Sequence, residues 1–575
     1  MKLDKSSAER ETPRAARLGF WLGLAAFGGL LLATPPASMR AAARQHFASQ
    51  LVADTQAILA HAGHGGADES SPEYRAAWQR ALGARARLMM AAAALTALVA
   101  VWWIFVALPI PVTSLLPLLL APLLGIMPIK AVAARYADPN VFLFMGGFII
   151  ALGVERWGLH RRIALHIVRL MGTGRATIVL GFMFASAILS MWISNTATTM
   201  MMLPIGLAVI AALAGLEDHT SATSRANFAA ALMLGIAYGA SVGGIATPIG
   251  TPPNIVFQGQ FRTLFGAAPE ISFGHWMLLF VPVVIVFVPL VWLVLTRVTC
   301  RFEAGHFKAG RQVVRDELAR LGRLRGAEAT MLAVFAATAL LWMTRKLPVG
   351  GVDYGWAALL ERLLTPGDGA PQRFRAAFIN DATVALGMAV LMFVIPAGRD
   401  AAGRTRRLMN WETAQRLPWG ILLLFGGGFA IAAVFKASGL SLWCGTVFAE
   451  LGIRNPLVLI AGTCLLMTFM TEVTSNTATT QVMLPILARV SQAMSLNPLL
   501  LMLPATISAS CAFMLPVATP PNAIVFGSGK VEMGRMVKTG LILNFIGVVL
   551  ITLFVYFLAR PLLGIDLTAP PDWAR

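Results

Sequence analysis

The sequence predicts an all-α polytopic membrane protein in two inverted repeats, with about eleven transmembrane helices and two re-entrant hairpins. Three observations predict it: a shortage of charge, a succession of helix-length apolar runs, and a hexapeptide that occurs twice. Of 575 residues, 57% are apolar and 13% charged. A soluble domain carries about 25% charged residues, so this chain has too few to cover a water-facing surface. Several apolar runs are long enough to cross a hydrocarbon core about 30 Å thick.

Residues 1–17 are basic, with Lys2, Lys5, Arg10, Arg14 and Arg17, and 18–34 are apolar up to Pro35-Pro36. A cleaved signal peptide and a retained signal anchor both begin this way. In a polytopic chain the anchor is expected, so 18–34 is read as the first span. Residues 35–87, polar and rich in Ala and Arg, complete the N-terminal region 1–87 as an extracytoplasmic loop. Its His61 and His64 lack further ligand residues and read as a solvated pair, not a metal site.

The first repeat, 88–300, holds spans near 88–107, 112–127 and 140–155, a hairpin around 176–215, an interrupted helix at 227–264 and a span at 274–297. A cytoplasmic basic linker, 301–327, leads to the second repeat, 328–565. There, spans near 329–346, 379–397 and 418–435 precede a hairpin around 456–494, an interrupted helix at 498–527 and a last span at 537–560. With both pairs read as re-entrant hairpins, the basic segments 155–175, 301–325 and 399–416 all fall on one side. That alternation puts the N-terminus inside and the C-terminus outside, in the cell inner membrane.

The formal charge of +19 would suggest nucleic acid in a soluble chain. Here the bases cluster between apolar runs, as Arg301, Lys308, Arg311, Arg315, Arg320, Arg323 and Arg325 do against three acids. That is how cations orient a membrane protein, and no nucleic-acid partner is expected. The four cysteines are scattered and read as small hydrophobes.

Ser194-Asn195-Thr196-Ala197-Thr198-Thr199 recurs identically as Ser475-Asn476-Thr477-Ala478-Thr479-Thr480, an offset of 281 (194 to 475). Leu143-Phe144-Met145-Gly146-Gly147-Phe148 answers Leu424-Phe425-Gly426-Gly427-Gly428-Phe429 at the same offset, and Leu203-Pro204-Ile205 answers Leu484-Pro485-Ile486. Thr251-Pro252-Pro253-Asn254 recurs as Thr519-Pro520-Pro521-Asn522 at 268 (251 to 519). An odd number of crossings separates the copies, so the halves are expected to be inverted, as is common in secondary transporters.

Polar residues amid an apolar hairpin need a reason, because non-helical backbone at membrane depth is tolerated only inside protein or beside a wet cavity. A turn at Ser194-Asn195-Thr196 leaves orphan N–H and C=O groups at two half-helix ends. The restarting helix aims its positive end at whatever occupies the tip. Such a tip suits a carboxylate on its donor side and Na⁺ on its carbonyl side. Simple helix glue explains one copy as well, but explains an identical duplicate poorly. The paired prolines disfavour helix before them and free carbonyls that, with Thr and Asn side chains, suit a hard cation. Glu472 lies three residues before Ser475, but its counterpart by offset is Met191. It stands outside the duplicated core, as a structural hydrogen-bonder or a coupling group. Lys436 and Glu155, at span ends, read as snorkelling. No His lies in the hairpins and no HExxH or Walker motif occurs, so neither a membrane enzyme nor an ATP-driven pump is expected.

With these paired motifs and the run Phe513-Met514-Leu515-Pro516-Val517-Ala518-Thr519-Pro520-Pro521-Asn522-Ala523-Ile524-Val525-Phe526, the chain resembles the divalent anion/sodium symporter family from about residue 88 to 560. The resemblance implies a homodimeric elevator carrier with its substrate between the two hairpin tips. Asn195, Thr196, Asn476 and Thr477 would bind a small carboxylate anion, with Thr251 and Thr519 nearby. One sodium site would use Ser190, Ser194, Asn195 and Gly250, and the other Thr471, Ser475, Asn476 and Ala518. The implied activity is sodium-coupled import of small di- or tricarboxylates of the succinate, malate, fumarate or citrate type. A carrier of sulfate or another inorganic dianion, or a dicarboxylate exchanger, is the alternative. One departure stands out: Trp102-Trp103-Ile104 is followed by Phe105-Val106-Ala107-Leu108-Pro109, where the family commonly reads Ile-Thr-Glu-Ala-[Ile/Leu]-Pro.

Overall fold

The computed structural model describes residues 14–64, 67–172, 174–214, 221–303, 308–349, 352–364, 375–399, 403–449, 455–567 and 569–574. The basic segment 1–13 and part of the basic linker, 304–307, lie outside the described residues. The described chain is helical apart from two small antiparallel strand pairs, Pro348–Val349 with Val352–Asp353 and Pro396–Arg399 with Thr405–Arg407. Ten of its helices are long and apolar enough to cross a membrane.

The first helix, Arg14–Leu32, packs along Pro72–Phe105. Two glycines allow the close approach: a Cβ on Gly19 would lie 2.2 Å from Phe105 Cβ, and one on Gly23 2.4 Å from Trp102 Nε1. Trp102 Nε1 donates to the Phe20 carbonyl at 3.2 Å. The opposite face leaves Leu18, Trp21 and Leu32 exposed, as a lipid-facing helix requires.

The loop expected across 35–87 is instead largely helical. Ala37–His46 and Ala48–His61 pack on Pro72–Phe105. They bury Met39, Ala42, Ala43, Phe47, Leu51 and Leu59, the spacing of an amphipathic stripe. Ser71 caps the long helix, accepting from Tyr74 N at 3.0 Å, and Arg85 ties it to Asp54 at 2.7 Å. Its 34 residues extend to about 50 Å, so its N-terminal third overhangs a 30 Å hydrocarbon layer. The span expected at 112–127 is also broken. Prolines at 109, 111, 117 and 122 leave only the short helices Ile110–Thr113 and Leu116–Leu123 there, and a new helix starts after Pro128 at Ile129–Tyr136.

The duplicated motifs lie in two matching groups of four helices. The first is Arg175–Ser190, Asn195–Ala214, Ala222–Gly243 and Pro252–Leu264. The second is Pro456–Val473, Asn476–Ala493, Leu499–Ser508 and Pro520–Gly527. Within each group, the two helices flanking the Ser-Asn-Thr break both pack on the third. Between groups the packing is reciprocal. Pro252–Leu264 lies against Asn476–Ala493, and Pro520–Gly527 against Asn195–Ala214. Gln260 Nε2 donates to the Gln481 carbonyl at 2.8 Å, and Tyr238 Oη to the Phe513 carbonyl at 2.8 Å, both across this seam.

The three basic segments meet at one end of helices Pro139–Arg156 and Asp381–Val394. Arg162 pairs with Glu328 at 2.7 Å and donates to the Leu321 and Gly322 carbonyls. Trp157 Nε1 donates to the Leu408 carbonyl at 2.8 Å. At the other end of the same two helices, Arg345 pairs with both Asp381 and Glu270. Burial alone would raise the Glu270 carboxyl, but Arg345 and then Lys346 outweigh it and hold the group below its ordinary range. Lys436 reaches this end too, donating to the carbonyls of Thr263 and Leu264 at 3.3 and 3.1 Å. It therefore caps a helix C-terminus. Trp573 packs edge-on against Phe261 and Phe265, and brings the C-terminal segment there as well.

Candidate functional site

Each Ser-Asn-Thr motif sits where one helix stops and the next begins, and the local bonding repeats atom for atom. In the first copy Ser194 Oγ accepts from Ala197 N at 3.3 Å and Ser194 O from Thr198 N at 3.0 Å. In the second, Ser475 Oγ accepts from Ala478 N at 3.5 Å and Ser475 O from Thr479 N at 2.9 Å. The next hydroxyls back-bond alike, Thr199 to the Asn195 carbonyl at 2.8 Å and Thr480 to that of Asn476 at 2.7 Å. Each serine is thus an N-cap, which leaves the first N–H groups of the restarting helix uncommitted. Thr196 and Thr477 are half-buried beside them.

The proline-broken segments are stapled by their asparagines. Asn254 Nδ2 donates to the carbonyls of Gly244 and Thr247 at 3.0 and 2.8 Å. Asn522 Nδ2 donates to those of Ala512 and Leu515 at 3.1 and 3.0 Å. Gly244 and Thr247 become Ala512 and Leu515 on adding the offset of 268, so the two staples are the same bond. Both Oδ1 atoms are buried without a hydrogen-bond partner among the described residues. Thr251 and Thr519 begin the short helices in extended backbone, both nearly fully buried.

Of the residues expected to hold the first cation, the structure brings Ser190, Asn195 and Gly250 together. Ser190 Oγ approaches both Asn195 Oδ1 and the Ala240 carbonyl, with one proton for two acceptors. A Cβ on Gly250 would lie 2.5 Å from the Gly244 carbonyl oxygen and 2.9 Å from that of Ser190. One on Gly244 would lie 2.8 Å from Asn195 Oδ1. Gly244, missed by sequence reasoning, therefore belongs to the cluster. Ser194 spends its hydroxyl on the cap. This all-oxygen set fits a hard monovalent cation. Gly250→Ala is expected to weaken cation affinity roughly ten- to hundredfold, as disturbing ligand orientation does elsewhere. Cation titration of uptake reads it, and an unchanged titration would remove Gly250 from the site.

In the second copy the corresponding oxygens are less convergent. Thr471 Oγ1 turns to the carbonyls of Met467 and Thr468 in its own helix, both at 3.0 Å. Asn476 Oδ1 is buried with no partner. Ala518 N bonds the Leu515 carbonyl at 3.2 Å. Joining these parts is Glu472. Its carboxylate accepts from Phe513 N at 2.8 Å, Met514 N at 2.9 Å, Leu515 N at 3.1 Å and Asn544 Nδ2 at 2.7 Å. Its counterpart Met191 does a related job, because its carbonyl accepts from the Thr247 hydroxyl. Positions 191–247 and 472–515 are the same hairpin-to-loop contact under the two offsets. Glu472 therefore belongs to the duplicated architecture after all.

A family model described as "Sodium:sulfate symporter transmembrane region" matches residues 82–565. The sodium-dependent dicarboxylate transporter SdcS of Staphylococcus saprophyticus is 42% identical over 478 residues, 83% of this chain and 87% of that protein. SdcS of Staphylococcus aureus (strain MRSA252) is 41% identical over the same length. Among solved structures, the YdaH transporter of Alcanivorax borkumensis aligns with a TM-score of 0.50 over 74% of this chain and 87% of that one. Its 16% identity makes this a likeness of fold alone.

Proposed function

This chain belongs to the sodium:sulfate symporter family, multi-pass membrane transporters rather than enzymes, and from that premise we propose that it imports small dicarboxylates across the inner membrane, coupled to Na⁺. One observation carries the proposal: two matching, oxygen-rich helix breaks whose tip helices pack reciprocally on one another's short helices. Neither motif has an Arg or Lys beside it in the sequence, so a dianion there needs another source of positive charge. The uncommitted N–H groups at the starts of Asn195–Ala214 and Asn476–Ala493 supply partial charge to one carboxylate each. Asn195, Thr196, Asn476 and Thr477 add side-chain donors, and Thr251 and Thr519 close the floor. Sodium ions at Ser190, Ser194, Asn195 and Gly250, and at Thr471, Ser475, Asn476 and Ala518, supply the remaining charge. Binding of anion and cation then becomes mutually dependent.

In this proposal each motif is a hairpin that enters and leaves on one side, the two from opposite faces of an inverted repeat, and the matching four-helix groups with reciprocal packing support it. The same proposal includes movement of the paired breaks against the rest, as a homodimeric elevator. SdcS is named as a dicarboxylate carrier, and this favours dicarboxylate over sulfate here. Succinate uptake into proteoliposomes should fall at least about tenfold when Na⁺ is replaced by choline, as expected when cations supply most of the anion's countercharge. Full uptake without sodium on either side would leave only exchange. Sulfate outcompeting succinate would move the assignment to inorganic dianions.

A further inference from the structure

At the end where the basic segments meet, a cleft of about 790 Å³ lies beneath the strand pair Pro396–Arg399 and Thr405–Arg407. Arg156, Arg404, Arg406, Arg407 and Arg416 line it, against only Glu155 and Glu412. Arg156, Arg406, Arg407 and Arg416 form no ion pair among the described residues, although both acids line the same cleft. Arg156 instead donates to Asn410 Oδ1 at 2.9 Å, and its guanidinium lies over the Trp157 ring at 5.3 Å. Arg406 lies over the same ring at 5.2 Å. Arg406 and Arg416 both bear on Arg156 with like charge, and Glu412 opposes them.

Orienting a membrane protein requires cations on one side but not their convergence. Like charges gathered around one hollow repel, and an anion bound among Arg156, Arg406, Arg407 and Arg416 would relieve that repulsion. The surroundings identify the anion's source. Trp411 and Trp419 on the adjoining segment are 59% and 46% exposed, the amphipathic ring placement of a membrane interface. The cleft thus opens at headgroup level, on the face whose basic segments mark it as cytoplasmic, where acidic lipids are available. Planar guanidiniums bind phosphate oxygens in bidentate fashion. We propose that this cleft binds the phosphate of an anionic phospholipid headgroup.

The test uses purified full-length protein in neutral detergent, titrated with dihexanoyl phosphatidylglycerol, dihexanoyl phosphatidylcholine or inorganic phosphate and read by native mass spectrometry. Phosphatidylglycerol should bind and phosphatidylcholine should not. Arg406→Gln/Arg416→Gln should weaken that binding about thirtyfold, roughly five- to sixfold from each arginine. Arg323→Gln/Arg325→Gln removes the same charge from exposed positions outside the cleft, and should leave binding unchanged. Equal binding of the two lipids, or equal loss in both double variants, would overturn the proposal. Inorganic phosphate displacing phosphatidylglycerol at matched concentration would overturn the lipid assignment in favour of free phosphate.

Discussion

Replacing either tip asparagine with alanine is expected to abolish sodium-driven uptake while leaving a folded protein. Each side chain would hold both a carboxylate and, in the proposed arrangement, a sodium ion, so truncation removes a charge-assisted hydrogen bond and a cation ligand together. A loss of roughly 3 kcal/mol corresponds to about a hundredfold or more in transport. The folded state loses little, because among the described residues Asn476 Oδ1 has no hydrogen-bond partner to forfeit and the side chain of Asn195 is bonded by the Ser190 hydroxyl alone. Uptake of labelled succinate, measured beside monodispersity of the same preparation, separates the two effects. Normal transport by Asn195→Ala or Asn476→Ala would make that tip structural glue and would remove its half of the site.

Glu472→Ala should act in the opposite way, on folding first. Three backbone N–H groups and the Asn544 amide would lose their acceptor in a buried loop. At about 1–3 kcal/mol for each orphaned donor, the sum exceeds what most point substitutions cost. Loss of monodisperse protein after extraction is the expected reading. Glu472→Gln keeps the shape and one acceptor oxygen, and so should recover part of that stability. What survives should transport with unchanged sodium dependence, because the carboxylate is occupied by the loop. A changed sodium dependence in Glu472→Gln would make the residue a coupling group.

The duplicated tips were legible in the sequence because their side chains are identical and act locally: a cap, a back-bond and a staple each sit within ten residues of their partners. Gly244, and the place of Glu472 in the duplicated core, were not legible for one shared reason. Both act through backbone groups, Gly244 by its carbonyl and Glu472 by receiving loop N–H groups. At the position matching Glu472 the first copy uses the Met191 carbonyl, which any residue can supply. The helices at 37–61 were hidden because their buried stripe, Met39, Ala42, Ala43, Phe47, Leu51 and Leu59, is spread thinly among alanine, arginine and polar residues, a composition that reads as loop. The break-up of 112–127 was visible in its prolines but was outweighed by total hydropathy.

The exchange of short helices between the two groups has a consequence for biosynthesis. Asn195 leaves the ribosome 281 residues before Asn476, and at about 5–20 residues per second that interval is roughly 15–55 seconds. Throughout it the first tip lacks Pro520–Gly527, the helix that later covers its second arm. On the proposed topology that tip waits at membrane depth, where an unsatisfied turn is costly, so the first half completes its packing only when its twin arrives.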